Sequence, residues 1–192
     1  MKKLALLALF VGSVAYGQTK KVTSAHVEWW GYKVAKSEAT SHNGTVDVKS
    51  GSVKMKNKQI VGGTFVLDMN TINATDVTGD KQAKLNDHLK NGDFFEVEKY
   101  PIATFTIKEV KNNPNDKVFN KLVHGNLTVK GKTHPIVIPA KITVDRKGVL
   151  TLESKQFSFD RQKFDVTYAS SMKDVMVKDD VDMKVKFSAK YS

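Results

Sequence analysis

The chain of 192 residues contains no cysteine, which excludes disulfides, thiolate metal sites and lipid attachment at an N-terminal cysteine. Its formal net charge of +11 comes almost entirely from lysines, which alternate with apolar residues as they do on the solvent face of strands. A nucleic-acid-binding protein more often clusters its basic residues and includes arginines, so we expect no nucleic-acid partner and leave attraction to an anionic membrane surface open.

Residues 1–17 are predicted to be a signal peptide. A basic start precedes an apolar run over residues 4–14 that is too short to span a bilayer, and Ala15 and Gly17 are small residues where a signal peptidase reads them. This pattern predicts a Sec-type signal cleaved after Gly17 and a periplasmic or secreted protein, with a retained membrane anchor as the alternative. The remaining residues, 18–192, suffice for a single domain, and removing the two lysines of the signal lowers the net charge from +11 to +9.

Apolar residues at every second position predict β-strands along most of the chain. In residues 64–69, for example, Phe65, Leu67 and Met69 share one face. Turn signals separate further segments of this kind, which lie at residues 103–107, 127–129, 136–144 and 183–191. About eight evenly spaced strands with one apolar face indicate an all-β protein, either a closed antiparallel barrel or a sandwich.

Residues 81–90 interrupt this alternation. They contain no glycine, proline or β-branched residue and are predicted to form a short helix. Asp80 is the expected N-cap, and Asn91–Gly92 is expected to end the helix with a left-handed cap. Residues spaced by three and four form one partly apolar face, so we expect the helix to lie over the mouth of a barrel. That face carries Leu85, His88 and Leu89.

Two adjacent phenylalanines, Phe94 and Phe95, follow the helix, and Pro101 precedes the next strand. Neighbouring residues of an extended chain point to opposite faces, so one ring is expected to plug the barrel or touch a ligand while the other packs beneath the helix. We predict that the helix and these rings form a lid over the mouth. The alternative is that both rings are ordinary core and that the helix is static.

Neither a metal site nor a catalytic constellation is predicted. The histidines lie in five different segments without the close spacing of a metal site, and the chain lacks a G-x-S-x-G elbow and a glycine-rich phosphate loop. We therefore expect no cofactor and no enzymatic activity. The five histidines are His26, His42, His88, His124 and His134.

The segment 157–168, FSFDRQKFDVTY, places a charge on an apolar face. Arg161 continues the parity of Phe157 and Phe159, so either it points toward the apolar interior or a bulge turns it away. A buried guanidinium needs a partner. That partner is either a group of the chain itself, such as a carboxylate or a backbone carbonyl, or the head group of a ligand.

One segment resembles a known family signature. Residues 88–107, HLKNGDFFEVEKYPIATFTI, closely resemble the leucine, Asp-Phe-Phe, Tyr-Pro and Phe-bearing strand of the YceI-like family of polyisoprenoid-binding, lipocalin-like proteins. The match runs in order from roughly residue 22 to 190, although residues 73–89 have a shorter spacing than many members. Further matching segments are residues 27–46 with His42 and Gly44, 62–72, 124–139 and 157–168 with its Arg-x-x-Phe.

The resemblance implies an exported antiparallel lipocalin-like β-barrel of about eight strands with one short helix near its mouth. Its apolar interior would hold a long isoprenoid chain, such as that of a quinone, for transport, storage or sequestration. About ten buried CH₂ groups at roughly 0.8 kcal/mol each would supply about 8 kcal/mol before ordering costs.

Two alternatives stay open for the function. One is an enzyme that acts on an apolar substrate in the same cavity through Arg161 and His88 or His42, and the other is a structural barrel with a filled interior. The oligomeric state is also open, a homodimer included. The predicted polar contacts to a ligand head group are His42, His88 and Arg161. The predicted cavity lining consists of Phe65, Leu67, Met69, Leu89, Phe94, Phe95, Phe105, Ile107, Leu127, Val129, Ile138, Phe157, Phe159, Phe164, Val166, Tyr168, Val185 and Phe187.

Overall fold

The computed structural model describes residues 18–35 and 38–191, so the predicted signal peptide and its cleavage site lie outside the described residues. Within them the chain forms ten strands and one α-helix, and a 3₁₀ turn, Arg161–Phe164, follows the eighth strand. In chain order the elements are β1 Gln18–Ala35, β2 Glu38–Lys56, β3 Gln59–Ala74, α1 Gly79–Lys90, β4 Ile102–Asn112, β5 Lys121–Val129, β6 Lys132–Val144, β7 Leu150–Ser154, β8 Phe157–Asp160, β9 Val175–Val177 and β10 Asp180–Tyr191.

Eight of these strands close into an antiparallel barrel. Each strand from β1 to β7 pairs with its neighbour in the chain, β7 pairs with β10, and β10 returns to β1 in a register that sets Val27 opposite Val185. The two short strands lie beside this ring, β8 against the first part of β10 and β9 against the end of β1. The predicted all-β barrel is therefore confirmed, and the sandwich alternative is excluded because the sheet closes on itself.

The alternation of the sequence becomes the inside and the outside of this barrel. On β5 the buried residues are Val123, Gly125, Leu127 and Val129, and the residues between them lie on the outer side. Phe105 of β4 lies opposite Leu127 in the register, and a Cβ at Gly125 would stand 2.4 Å from the Phe105 ring. Glycine at position 125 therefore leaves room for this ring inside the barrel.

The barrel has two different ends. The helix, the β5–β6 turn and the segment 161–179 surround one end, which we call the mouth. The start of β1, the β2–β3 turn, the β4–β5 loop and the β6–β7 turn surround the other, which we call the packed end because Val53 and Leu150 are fully buried there. Lys20 is 1% exposed at the packed end, and its Nζ donates to the carbonyl of Gly148.

The predicted helix is confirmed, but its predicted caps are wrong. The helix begins at Gly79 after Thr78, so Asp80 lies in the first turn and not at the N-cap. Asn91 has an extended backbone (φ −78°, ψ −174°), and the left-handed residue of this region is Glu96 (φ 48°). The helix therefore ends without the left-handed cap that Asn-Gly predicts.

The turn after the helix replaces that cap. It folds back along the last helical turn, and the N–H groups of Phe95 and Val97 donate to the carbonyls of Leu89 and Lys90 at 3.1 and 2.9 Å. These bonds satisfy carbonyl groups that the end of a helix otherwise leaves without partners. Residues 92–95 consequently form a turn and not an extended strand.

Two amide side chains fasten the helix to β3. Asn86 donates to the side-chain oxygen of Asn73 at 2.7 Å and accepts from the N–H of Ala74 at 2.8 Å. Gln82 donates to the carbonyl of Ala74 at 2.7 Å. The helix is therefore tied along one side to the rim of the barrel, at the end of β3.

Candidate functional site

Three adjoining cavities run from the middle of the barrel to its mouth. Their volumes are about 70, 110 and 230 Å³, and we call them the inner, middle and outer cavities. Leu67, Leu127 and Met183 line both the inner and the middle cavity. Leu89 and Phe94 line both the middle and the outer cavity. These shared walls place the three cavities end to end.

Apolar side chains from all eight barrel strands line the inner cavity. The rings of Phe65 and Phe187 pack there with their centroids 4.7 Å apart. A chain of CH₂ groups would meet only apolar side chains in this wall, which suits a hydrocarbon. The lining residues are Val27, Val48, Phe65, Leu67, Phe105, Ile107, Val123, Leu127, Ile136, Ile138, Leu152, Phe157, Met183, Val185 and Phe187.

The middle cavity lies beneath the helix and the turn that follows it. Phe94 and Phe95 both line this cavity, so the prediction that the two rings face opposite ways is wrong, because a turn and not an extended strand carries them. Phe159 and Phe164 meet edge to face across 5.4 Å. The other lining residues include Trp29, Met69, Ile72, Leu89, Val129, Arg161, Val166 and Val181.

The outer cavity opens at the mouth, and its wall mixes charged, aromatic and aliphatic side chains. His42, His88 and Arg161 lie here together with two lysines that the sequence analysis did not select, Lys33 and Lys178. The aliphatic part of the wall includes Leu85, Val175, Val177 and Met172, the last of which is 64% exposed. The polarity of the wall therefore rises from the inner cavity to the mouth.

An aromatic cluster joins the helix to the opposite side of the mouth. The His88 ring packs edge-on against Tyr168 at 4.6 Å and against Phe94 at 5.0 Å between centroids, and Phe94 lies 5.0 Å from Tyr168. His88 Nδ1 also lies 3.2 Å from a carboxylate oxygen of Asp93. We call His88, Phe94 and Tyr168 the aromatic seam. The helix side of the seam is tied to β3, whereas Tyr168 lies in an irregular segment, residues 165–174.

His42 is paired within the protein at the rim of the mouth. Its Nδ1 lies 2.7 Å from Oδ2 of Asp76, whose other oxygen accepts from the N–H of Asn43 at 3.0 Å. Partial burial acts to raise the pKa of Asp76, but the hydrogen bonds from His42 and Asn43 outweigh it and lower the pKa. A Cβ at Gly44 would stand 1.8 Å from the carbonyl oxygen of Asn73. The His-x-Gly pattern therefore fastens β2 closely to the end of β3.

Arg161 is 3% exposed, and groups of the chain itself satisfy its guanidinium. Nε donates to the carbonyl of Lys178 at 3.0 Å, Nη1 donates to the carbonyl of Val166, and Nη2 donates to a carboxylate oxygen of Asp179 at 3.1 Å. Of the two partners considered for this buried charge, the internal one is therefore present. Arg161 fastens the segment 165–179 to the barrel, and its contact with a ligand head group stays a prediction.

On the outer side of the barrel, Asp182 joins three strands near the mouth. Tyr32 Oη and the side-chain amide of Gln156 each donate to one oxygen of Asp182 at 2.7 Å, and the Ser158 hydroxyl donates to the other. Partial burial acts to raise the pKa of Asp182, but these hydrogen bonds outweigh it and lower the pKa. Burial and the Asp182 carboxylate raise the pKa of Tyr32. Asp182 therefore links β1, β8 and β10 where the barrel closes.

Every residue predicted from the sequence to line a cavity lies on the wall of one of the three, and so do the three predicted polar residues. Contact of these residues with a ligand stays a prediction. Strand parity in the segment Val27-Glu-Trp-Trp could have added the first strand to the lining. The lining residues that the sequence analysis missed include Val27, Trp29, Val48, Ile136, Leu152, Met183, Lys33 and Lys178.

Within residues 18–35 and 38–191, no group of three or more His, Asp or Glu side chains could hold a metal ion. The helix in this part of the chain is also too short and too polar to cross a membrane. The expectation that the protein binds no cofactor stays a prediction.

Sequence relatives match part of the chain. The UPF0312 protein PA0423 of Pseudomonas aeruginosa is 42% identical over 72 residues, which are 38% of this chain and 35% of the relative. Protein YceI of Escherichia coli O17:K52:H18 is 36% identical over 89 residues, which are 42% of this chain and 44% of the relative. The chain thus covers less than half the length of these relatives.

Solved structures share the fold. BcnA of Burkholderia cenocepacia superposes with a TM-score of 0.63 at 21% identity, over 86% of this chain and 96% of BcnA. A polyisoprenoid binding domain from Saccharophagus degradans, implicated in plant cell wall breakdown, superposes with a TM-score of 0.60 at 10% identity, over 92% and 100%. The family model described as YceI-like domain matches residues 17–189. Because that match spans nearly the whole sequence, the chain belongs to the YceI-like domain family.

Proposed function

We propose that this protein is an exported lipid-binding protein that holds a long isoprenoid chain in the three cavities, with the polar end of the ligand at the mouth. The proposal is carried by the apolar wall that runs from the middle of the barrel to a mouth with charged and aromatic side chains. A hydrocarbon tail gains free energy from apolar burial alone, whereas its head group needs polar partners or water. The fold shared with a polyisoprenoid binding domain supports the isoprenoid class.

The cavity volumes limit the length of chain that fits below the mouth. One water-sized group needs about 10–15 Å³ of such space, so the inner cavity holds about five to seven carbon-sized groups and the middle cavity about seven to eleven. About three isoprene units of five carbons each therefore fit in these two cavities. The rest of a longer chain would occupy the outer cavity and the mouth.

The mouth offers cations to a head group. Lys33 and Lys178 line the outer cavity, and Lys178 Nζ lies 5.7 Å from the centre of the Tyr32 ring. An ammonium group donates hydrogen bonds in several directions, so these lysines suit a phosphate or the carbonyl oxygens of a quinone. His42 and His88 stand on the same wall and add donors or acceptors.

A role in transport, storage or sequestration fits this wall better than catalysis. The guanidinium of Arg161 is held by carbonyls and by Asp179, and His42 is paired with Asp76. Neither group faces a second polar residue deep in the apolar cavities, where the chain of a substrate would lie. A protein that buries the hydrocarbon chain of a ligand without catalysing a reaction on it acts as a binding protein.

Native mass spectrometry of the protein purified from its own exported compartment tests the proposal. We expect the mass of a chain that begins at Gln18 and adducts whose masses differ by isoprene units. Treatment with EDTA should leave the adducts in place, since the proposed binding uses no metal. A protein that carries no lipid and takes up no isoprenoid alcohol from a detergent-free emulsion would contradict the proposal.

A further inference from the structure

Positive charge is concentrated at the packed end of the barrel. The four segments that form this end contain eleven basic and two acidic residues, and ten of the basic residues remain when the buried Lys20 is left out. The segments are residues 18–21, 54–60, 111–121 and 141–149. The mouth differs, because its three segments, residues 75–101, 130–132 and 161–180, together contain ten basic and ten acidic residues. The net charge of the protein is therefore carried by the end opposite the mouth.

Exposed aliphatic side chains accompany this charge. Val118 is 56% exposed in the β4–β5 loop, and Val61 and Val144 are 48% and 47% exposed beside the β2–β3 and β6–β7 turns. A shallow basin of about 380 Å³ lies on the same end, between lysines and aliphatic residues. Its wall includes Lys58, Lys111, Lys121, Ile60, Val110 and Val144. The packed end thus mixes cations with apolar groups over several neighbouring turns.

We propose that the packed end is a docking surface for a bilayer that contains anionic phospholipid, so that the mouth points away from that bilayer. Ten of the eleven basic residues are lysines. Lysine acts as a mobile point charge, which suits the diffuse charge of a lipid surface, whereas arginine is the usual choice for fixed carboxylates or nucleic-acid phosphates. The exposed valines can enter the interface between head groups and acyl chains.

This inference does not depend on the proposed ligand of the cavities. It rests on the charge and the aliphatic surface of the packed end, which the cavities do not reach. It assigns an orientation, because the two ends of a barrel face in opposite directions. Ligand would then enter and leave through a mouth that faces the aqueous compartment or a protein partner.

Vesicle flotation tests the docking surface. Wild-type protein should float with phosphatidylcholine vesicles that contain phosphatidylglycerol, and not with pure phosphatidylcholine. Binding should vanish when the ionic strength is raised from about 0.01 M to about 1 M, which shortens the Debye length from about 30 Å to about 3 Å. A protein that fails to bind the anionic vesicles at low ionic strength overturns the proposal.

Two triple variants with the same change of charge locate the surface. Lys56→Gln, Lys117→Gln and Lys147→Gln together neutralise three exposed lysines at the packed end, and the partition coefficient should fall about 100-fold. The matched control neutralises three exposed lysines near the mouth and should bind as the wild type does. It carries Lys81→Gln, Lys84→Gln and Lys173→Gln. Equal loss of binding in both variants, with unchanged melting temperatures, overturns the proposal.

The absence of cysteine allows a direct measurement of orientation. Val118→Cys and Met172→Cys introduce single thiols at exposed apolar sites of opposite ends, 56% and 64% exposed in the parent side chains. Each variant is labelled with an environment-sensitive fluorophore and mixed with the anionic vesicles. We expect a blue shift of emission for the label at position 118 only. A shift at position 172, or none at position 118, overturns the proposed orientation.

Discussion

Filling the junction between the inner and middle cavities should shorten the chain that the protein binds. Leu127 is 7% exposed and lines both cavities. Leu127→Trp places an indole at this junction and should exclude a ligand from the inner cavity. The excluded part of the chain amounts to about five to seven carbon-sized groups, worth roughly 4–6 kcal/mol at about 0.8 kcal/mol each. Ordering of the chain offsets some of this, so we expect affinity to fall about 100- to 1,000-fold.

The assay compares isoprenoid alcohols of increasing length by displacement of a fluorescent lipid. Alcohols of about three or more isoprene units should lose affinity for the variant, whereas shorter ones that fit the middle cavity should bind nearly as before. An equal loss for every length would refute the reasoning, because the inner cavity would then not hold the tail. No loss for any length would refute it as well.

A control variant separates blockage from damage to the fold. Thr128→Trp places the same side chain one residue further along β5, on the outer side, where the Thr128 hydroxyl lies 2.8 Å from that of Thr133. Overpacking by Leu127→Trp is expected to lower the free energy of unfolding by about 1–3 kcal/mol. Melting temperatures of both variants show whether the protein with Trp at position 127 is still folded during the binding measurement.

Three further predictions follow from the walls and the rim. Phe105→Lys should reduce the binding free energy of the lipid by several kcal/mol, because it buries a charge in the inner cavity. Thr106→Lys on the outer side should leave the affinity unchanged, and titration with a fluorescent lipid measures both variants. Phe94→Ala opens the aromatic seam and should speed lipid dissociation, measured by stopped flow, while Phe95→Ala should lower the melting temperature with a smaller effect on that rate. Because the pKa of Asp182 is lowered, the ionised carboxylate should stabilise the fold above pH about 4, and this stabilisation should disappear as the pH falls through the lowered pKa. Asp182→Asn should remove this pH dependence of the melting temperature, which melts recorded over a range of pH can measure.

The strand parity that defines the cavity wall could be predicted from the sequence because alternation is a local property. In a closed barrel every inward position belongs either to the core or to a cavity, so Phe65, Phe105 and Leu127 reach the interior by parity alone. Parity does not distinguish a filled interior from a hollow one. That difference depends on which side chains of different strands meet, such as the Phe105 ring beside Gly125 on the neighbouring strand.

Irregular backbone in β1 explains a buried residue that parity alone would place on the outer side. The pairing of β1 with β10 shifts register between Val22 and Ser24, so the inward positions of β1 change from even to odd numbers. Lys20 is therefore buried on the inward side, although alternation counted from Trp29 would place it outside. A bulge of this kind has no clear signal in a single sequence, because it is set by the partner strand.

The predictions of the helix caps and of the orientation of Phe94 and Phe95 were wrong for a related reason. Asn91 and Gly92 are common in left-handed caps, but here the following turn folds back and donates to the last helical carbonyls. That fold-back brings Phe94 and Phe95 to one cavity. The partners of Arg161 could not be predicted from the sequence either, because Lys178 and Asp179 lie 17 and 18 residues further along the chain. Contacts between distant segments override local preferences in each case.

The apolar side chains at the packed end fill the core, whereas those nearer the mouth border the cavities. We therefore expect the packed end to contribute mainly to stability and the cavity walls mainly to ligand binding. At the packed end Val53 and Leu150 are fully buried against other side chains, whereas Phe94, Phe95 and Phe105 are only half-buried and border space. Cavity walls that pack against no other side chain lower the stability of the fold, and the closed sheet and the packed end must offset this loss. Truncation at Val53 should therefore lower the melting temperature without altering the preferred ligand length. Substitutions in the wall of the inner cavity at half-buried positions such as Phe105 should change that length and leave most of the stability in place.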